Sequence, residues 1–461
     1  MTSGPNPPSQ PVPSIESAPS LKSRLWLLAL VGVVALAFFG SGILDKPFVD
    51  EYAYISQSYY ADLLLDGRTN DRAWLDFPAY DLVPLPKYGI GLALKAAGRL
   101  RPGPEAARMW YRDTSSQFGA PMDLTVARLP SIALGALGCV ALAALGASAF
   151  GWRVGVVAAG LLMVNPLYRL HAHRAMSEAP CEAFLMIALA VALVCWRRTL
   201  AGEGGARGQG WLLLGWLGAG IAAGLSVLAK FNGLLALMTM AAWVALAWIS
   251  PNRPWGGKLR LAAGAALAAV AAGACFVALN PYMTAQPDEP MTSEARRISG
   301  LNVWERFRLL IDHRREMSRS QQQMFPHNAL TTFPERAKVV AVQGFGRFGP
   351  LGPASSDSTR RYDPAQDWGA VVWLPLCLVG LALAGVAGYR QHRVGAPPTA
   401  WACAAWALVS LAVVTLYLPM AWDRYQLPIQ APFALLAASA LVAGGEALAR
   451  LFRSSQARAG A

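Results

Sequence analysis

Long, nearly uncharged apolar runs alternate along this chain with shorter polar segments. Ten runs stand out: residues 24–43, 129–150, 154–170, 180–196, 211–229, 233–249, 261–280, 369–389, 400–418 and 428–449. Each approaches the ~20 residues that a helix needs to cross the hydrocarbon core of a bilayer. In lipid a backbone must satisfy its own N–H and C=O groups, so these runs predict helices. The pattern predicts an all-α polytopic membrane protein with about ten transmembrane helices.

Two long polar intervals remain, 44–128 and 281–368. In the first, Tyr52, Ile55, Tyr59 and Leu63 recur at helix-face spacing after Asp50 and Glu51, and Gly67 stands where a helix would stop. That predicts one amphipathic surface helix. Residues 84–100 predict another, because the apolar part is too short to cross and Lys95 interrupts it. In the second interval Val303, Phe307, Leu310 and Ile311 share a helix face. Arg306, Arg308, Arg314 and Arg315 fall mostly off it. This predicts a helix lying on the membrane or capping a cavity, with Trp304 at the interface. The chain thus divides into a Pro/Ser-rich tail (1–23) expected to be disordered, a transmembrane domain (24–450) carrying both outer loops, and a short tail (451–461).

Charge orients these spans. The chain is 55% hydrophobic and carries a net charge of +13. Its basic residues punctuate the apolar runs and do not gather on one soluble face, which argues against nucleic acid. With the N-terminus inside, the short inner segments carry Lys22, Arg24, Arg153, Arg197, Arg198, Arg207, Arg253, Lys258, Arg260, Arg390, Arg393, Arg450, Arg453 and Arg458. The short outer turns carry only Arg174, Lys230 and Arg424. This bias predicts that both termini are cytoplasmic and that both long intervals lie outside. The six cysteines lie in or beside apolar runs without a CxxC pair, so they are expected to be small buried residues.

In that topology one set of polar residues collects at the outer ends of the spans. It comprises Asp50, Glu51, Lys87, His171, His173, Arg174, Glu178, Lys230, Asn232, Asn280, Asp423, Arg424 and Tyr425. Acids and bases drawn from five separate loops onto one side predict a single outward-facing site. Plainer roles exist for each. Asp50 suits an N-cap, and Glu51 a first-turn acid facing the helix dipole. Lys87 and Lys230 suit snorkelling anchors, Glu178 a helix start, and Asp423–Arg424 a local ion pair. His171 and His173 point away from one another and make poor joint metal ligands, so no metal ligand is expected. Taken together, one carboxylate serves as general base on an acceptor hydroxyl. The cations stabilise charge growing on a departing phosphate. That is glycosyl transfer from a sugar on a lipid phosphate. Two other classes compete: a transporter or lipid flippase, and a catalytically silent membrane subunit. The first would show mid-membrane charge and repeated halves.

The motifs sharpen this. They are Asp50-Glu51 after the first span, Pro84-Leu-Pro-Lys87, Arg128-Leu-Pro-Ser-Ile-Ala, His173-Arg-Ala-Met-Ser-Glu-Ala-Pro180, Leu228-Ala-Lys-Phe-Asn-Gly233, Asn280-Pro-Tyr and Asp423-Arg-Tyr-Gln-Leu-Pro428. In order and spacing the chain resembles the GT-C superfamily of polyprenyl-phosphate-sugar glycosyltransferases, in the family 39 branch of protein O-mannosyltransferases and lipid A aminoarabinose transferases. The resemblance implies a GT-C fold and an inverting transfer on the periplasmic or luminal side of a membrane, here a bacterial inner membrane. Asp50 matches the family's catalytic base and Glu178 an acidic position that is usually Asp; Glu51, adjacent to Asp50, is expected as a further acid of the site. Lys87 matches a lysine holding the lipid phosphate; the span-end constellation itself adds Arg174, Lys230, Arg424 and Tyr425 to the expected donor site. The implied partners are a polyprenyl-phosphate sugar, an acceptor that is protein, lipid or glycan, and membrane lipids. Pro86 stands where some relatives carry a metal-linked acid, so no cofactor is called for and a divalent metal stays open.

Overall fold

In the computed structural model the described residues are 20–99, 122–202, 206–249, 254–288, 292–353 and 362–459. Among them the chain is helical, and the β pairing is one isolated bridge between Ala329 and Met420. The first long polar interval follows α1 (Leu21–Gly40) and holds α2 (Val49–Ser56), α3 (Tyr60–Leu65), α4 (Phe77–Asp81) and α5 (Pro84–Ala96). The membrane core continues with α6 (Met122–Phe150), α7 (Trp152–Met163), α8 (Pro166–Ala172), α9 (Glu178–Ala201), α10 (Ala206–Ala229), α11 (Leu234–Trp248) and α12 (Trp255–Ala278). The second long polar interval holds α13 (Ser293–Ser299), α14 (Val303–Met324), α15 (Phe333–Val339) and α16 (Pro364–Asp367). The chain closes with α17 (Ala370–Arg393), α18 (Thr399–Tyr417) and α19 (Gln430–Ala459).

Nine helices among the described residues are long and apolar enough to cross a membrane. The tenth expected span, 154–170, is not straight: α7 and α8 meet at 72°. The cause is Asn165-Pro166. Pro166 has no N–H to continue the α7 ladder, and the Asn165 side chain accepts the Tyr168 N–H at 2.9 Å to start a new helix. The Asn165 amide also donates to Phe348 O at 2.7 Å and Gln430 Oε1 at 2.8 Å, which fixes the elbow. α6 and α9 lie at the centre, with α6 packed on α1, α7 and α9, and α9 on α10. Many leucines, valines and tryptophans of α1 and α17 face outward, as surfaces that meet hydrocarbon do. Cys139, Cys181, Cys195, Cys377 and Cys403 are buried, Cys275 is half-buried, and all are unpaired.

Three expectations change. The helix α1 starts at Leu21, capped by Ser20, inside the segment expected as a tail over 1–23. Residues 1–19 lie outside the described residues, as do 100–121 of the first outer interval and Arg253 of the inner segments. The helix α19 runs through Ala459 into the segment expected as a tail. The single helix expected from Tyr52 to Leu63 is two helices, although Tyr52, Ile55, Tyr59 and Leu63 are all buried as the pattern requires. The break carries α5 across it. A Cβ on Gly91 would come within 2.5 Å of the Ser58 carbonyl oxygen, so only glycine permits this approach. Gly67 ends α3 at φ +68°, as expected of a helix stop.

On α14, Leu310 is buried and Arg308 and Arg315 are exposed, in line with the predicted face. Arg306 departs from it. Its guanidinium is buried and donates to the carbonyls of Leu301, Tyr282, Ala285 and Ser299. It ties the start of α14 to the turn after α12.

Candidate functional site

The neighbours Asp50 and Glu51 open α2 and point into different chemistry. Glu51 is fully buried. Arg128 of α6 grips it with two 2.8 Å bonds, and the N–H groups of Phe48 and Ala175 donate to it at 2.8 Å each. The bond from Phe48 closes the start of α2, the first-turn role the sequence suggested for this acid. Arg128 spends its other donors on the carbonyls of Ile43, Asp45 and Lys46. This clasp nails the exit of α1 and the start of α2 to α6. Every strong position on both partners is filled.

Asp50 is different. Its side chain keeps 36% exposure, and Arg424 pairs with it across 374 residues of sequence. Phe48, not Asp50, is the N-cap of α2. The Arg424 guanidinium lies over Trp422 and Tyr425, 5.0 and 5.9 Å from the ring centroids, so the two rings hold its plane. The local Asp423–Arg424 ion pair suggested by sequence is not formed between side chains. Asp423 Oδ1 accepts the Arg424 N–H, and its Oδ2 lies 3.6 Å from His171 Nε2.

The remaining candidates close the cluster. Glu178, buried at the start of α9, accepts from Lys230 Nζ at 2.8 Å and from the Ser177 hydroxyl at 3.2 Å. Lys230 lies 5.9 Å from the Tyr425 ring. Arg174 stacks on Phe48 at 4.4 Å, and burial pulls its pKa down against the fields of Asp423, Glu51 and Glu178. The Tyr425 hydroxyl donates to Gln321 of α14 at 3.3 Å, so the second long polar interval reaches the site. His173 sits apart from His171. It lies 3.2 Å from Asp45, and burial lowers its pKa to about 4 despite that carboxylate. Asp50, Glu178, Arg174, Lys230, Arg424 and Tyr425 therefore converge. Glu51 borders them from the clasp, and Asn232 and Asn280 make no side-chain bond to them.

Lys87 lies apart from this cluster, on α5. It is buried, 3.4 Å from the Ala79 carbonyl oxygen and 4.8 Å from the Tyr60 ring centroid. Burial pulls its pKa well down, with Asp81 opposing and Arg314 adding to the shift.

Sequence reasoning missed the Glu51–Arg128 clasp and Glu182. Glu182 is buried one helical turn beyond Glu178 on α9. A carboxylate inside an apolar run was the signal available for it. Among the described residues no three His, Cys, Asp or Glu side chains gather as metal ligands. An apolar cavity of about 640 Å³ between α15, α17, α18 and α19, walled by Phe333, Leu374, Leu411 and Phe433, has no charged lining and is separate from this chemistry.

No protein-family model and no curated protein sequence matches the chain. Solved structures do. The archaeal oligosaccharyltransferase AglB from Archaeoglobus fulgidus, in complex with an inhibitory peptide and a dolichol-phosphate, matches with TM-score 0.53 at 14% identity, covering 96% of this chain and 53% of that one. The Archaeoglobus fulgidus oligosaccharyltransferase tethered to an acceptor peptide matches with TM-score 0.54 at 14% identity, covering 94% and 51%. ArnT from Cupriavidus metallidurans bound to undecaprenyl phosphate matches with TM-score 0.48 at 14% identity, covering 92% and 60%. This chain spans about half the length of the oligosaccharyltransferases it matches. With its many apolar spans and this similarity along nearly all its length, the protein is an integral, multi-pass membrane protein with the GT-C fold.

Proposed function

We propose that the protein transfers a sugar from a polyprenyl-phosphate donor to an acceptor hydroxyl at the outer face of a bacterial inner membrane, with inversion at the anomeric carbon. The observation that carries this reading is the contrast between two adjacent acids. Glu51 is saturated in a buried clasp, whereas Asp50 is half-open in a cluster of cations. A general base needs a free edge, and Asp50 keeps one beside the Arg424 guanidinium. In the proposed step Asp50 takes the proton of the acceptor hydroxyl as its oxygen bonds to the anomeric carbon. The bond to phosphate breaks on the opposite face, and its electrons leave on the lipid phosphate. Lys87 and the cluster cations oppose that charge at a bilayer edge, where the low dielectric strengthens them. Glu178 acts by holding Lys230, and Glu51 by holding the start of α2. The dolichol-phosphate and peptide in the AglB complex support a lipid-phosphate donor class.

The test is purified protein in proteoliposomes with a panel of radiolabelled polyprenyl-phosphate sugars and a native membrane extract as acceptor. Sugar should move to a component of the extract from at least one donor. Donor crossing the bilayer with its sugar bond intact would instead make the protein a transporter. The basic-residue bias further supports cytoplasmic termini. In a variant lacking its own cysteines, Asn70→Cys should label with an impermeant reagent in intact cells and Gly256→Cys should not. The reverse pattern would overturn that orientation.

A further inference from the structure

The end of α14 is shared between two surfaces. Gln321 accepts the Tyr425 hydroxyl and so belongs to the Asp50 cluster. Its neighbour Gln322 lines an open groove of about 390 Å³ with Arg319, Gln323, Pro326, Ala329 and Thr331. The two surfaces meet through aromatic rings. Phe325, which ends α14, packs edge-on against Trp422 at 5.6 Å. Trp422 in turn carries the Arg424 guanidinium that pairs with Asp50.

The groove is polar and nearly neutral, since Arg319 is the single charged residue lining it. Arg319 and Gln323 are exposed, and among the described residues neither side chain has a hydrogen-bond or ion-pair partner. Gln322 gives its Nε2 to the Pro419 carbonyl at 3.0 Å, which fixes the side chain and leaves its Oε1 as an acceptor.

These groups select a class of occupant. A hydrocarbon chain would cover the amides and the guanidinium without pairing them, and the apolar cavity beside α15 suits it better. A multiply charged acceptor would meet a single cation. A peptide strand would need a free run of backbone. The short extended segments bordering the groove pair with one another instead: Leu330 N–H donates to Pro419 O at 2.9 Å, and Ala421 N–H to Asn328 O at 2.8 Å. A sugar fits. Each of its hydroxyls both donates and accepts, and an amide answers with both a donor and an acceptor. Its C–H face can rest on the Pro326 ring and on Phe325, which is 40% exposed.

We propose that the acceptor is a saccharide, held by one unit in this groove while the adjoining unit presents its hydroxyl to Asp50. This rests on the transfer proposed above and keeps its balance. The acceptor O–H bond breaks with its proton passing to Asp50, and the oxygen bonds to the anomeric carbon. The bond to phosphate breaks with its electron pair left on the lipid phosphate, so the product carries a new glycosidic bond.

The test measures binding of a panel of neutral disaccharides and trisaccharides to the full-length protein in nanodiscs by ligand-observed NMR, with a Ser/Thr-rich peptide as the rival probe. At least one saccharide should bind. Arg319→Ala combined with Gln323→Ala should weaken it about tenfold or more, the loss of roughly two hydrogen bonds. Binding of undecaprenyl phosphate should stay unchanged. With a donor that supports transfer, the same double variant should raise the acceptor KM about tenfold and keep kcat. A wild-type protein that binds no saccharide overturns the inference, and so does saccharide binding indifferent to the double variant. Binding of the peptide alone, weakened by the double variant, overturns the carbohydrate class and leaves the transfer reading standing. Saccharide binding lost in the double variant, without transfer from any donor, supports the saccharide site and sinks only the transfer reading.

Discussion

Two ion-paired regions sit side by side at the start of α2, and they are built on opposite rules. In the clasp, Glu51 and Arg128 are fully buried, and each is surrounded by partners at 2.7–2.8 Å. In the cleft, Asp50 and Arg424 remain partly open, and their attraction is held by rings on one side only. A buried charge must be saturated or the fold fails, so the clasp tolerates no vacancy. A group that exchanges protons or meets an anion needs an unfilled position, so the cleft keeps one. The comparison teaches that unsatisfied capacity, and not charge alone, sets the acid proposed as base apart from the acid that holds the fold.

The sharpest break is Arg128→Met. It strands the Glu51 carboxylate in a dry site at a cost of roughly 3–5 kcal/mol, a large share of the ~5–15 kcal/mol typical of a fold. Folded yield by fluorescence size-exclusion should collapse; a wild-type elution profile and unfolding temperature would show that the clasp is not structural. Next comes Asp50→Asn, which keeps size and shape. Yield should match wild type while turnover falls by about 10²- to 10⁴-fold. Near-normal turnover would remove Asp50 as base. Glu51→Gln should show the reverse pattern, with reduced yield and little loss of turnover per folded molecule.

A smaller effect is expected from Arg424→Lys. The charge survives but the flat fork between Trp422 and Tyr425 does not. Turnover should drop about tenfold, the equivalent of one charge-assisted hydrogen bond. An unchanged rate would reduce Arg424 to a simple counter-charge. The smallest effect at neutral pH belongs to His173. Its pKa, about 4 in the fold, lies below the ordinary value of 6.5. The unfolded chain therefore binds more protons between those values, and stability rises with pH across that window. His173 contributes stability above about pH 6.5 that is lost as pH falls toward about 4. His173→Gln should leave the neutral unfolding temperature nearly unchanged and flatten its fall on acidification. An equally steep fall in the variant would assign the acid sensitivity to other groups.

Much of the fold was legible along the chain because a bilayer imposes a strict length and polarity on every span. Nine helices of membrane-spanning length and apolarity followed from that constraint. Gathering Asp50, Glu178, Arg174, Lys230, Arg424 and Tyr425 required only that span ends alternate sides. The bend at Asn165-Pro166 and the break between α2 and α3 were not legible from periodicity. The first is fixed by Phe348 and Gln430, and the second by Gly91, all far away in sequence.

Side-chain partnership was decided by tertiary structure alone. Sequence placed Asp50 beside Glu51, and Asp423 beside Arg424, with equal claims. Only packing sent Glu51 to Arg128, Asp50 to Arg424 and Lys87 to the carbonyl end of α4. The physical reason is range. Span length and polarity are set residue by residue against the solvent, so one chain suffices to read them. An ion pair is set by which groups share a dry space, and that exists only once distant segments have met.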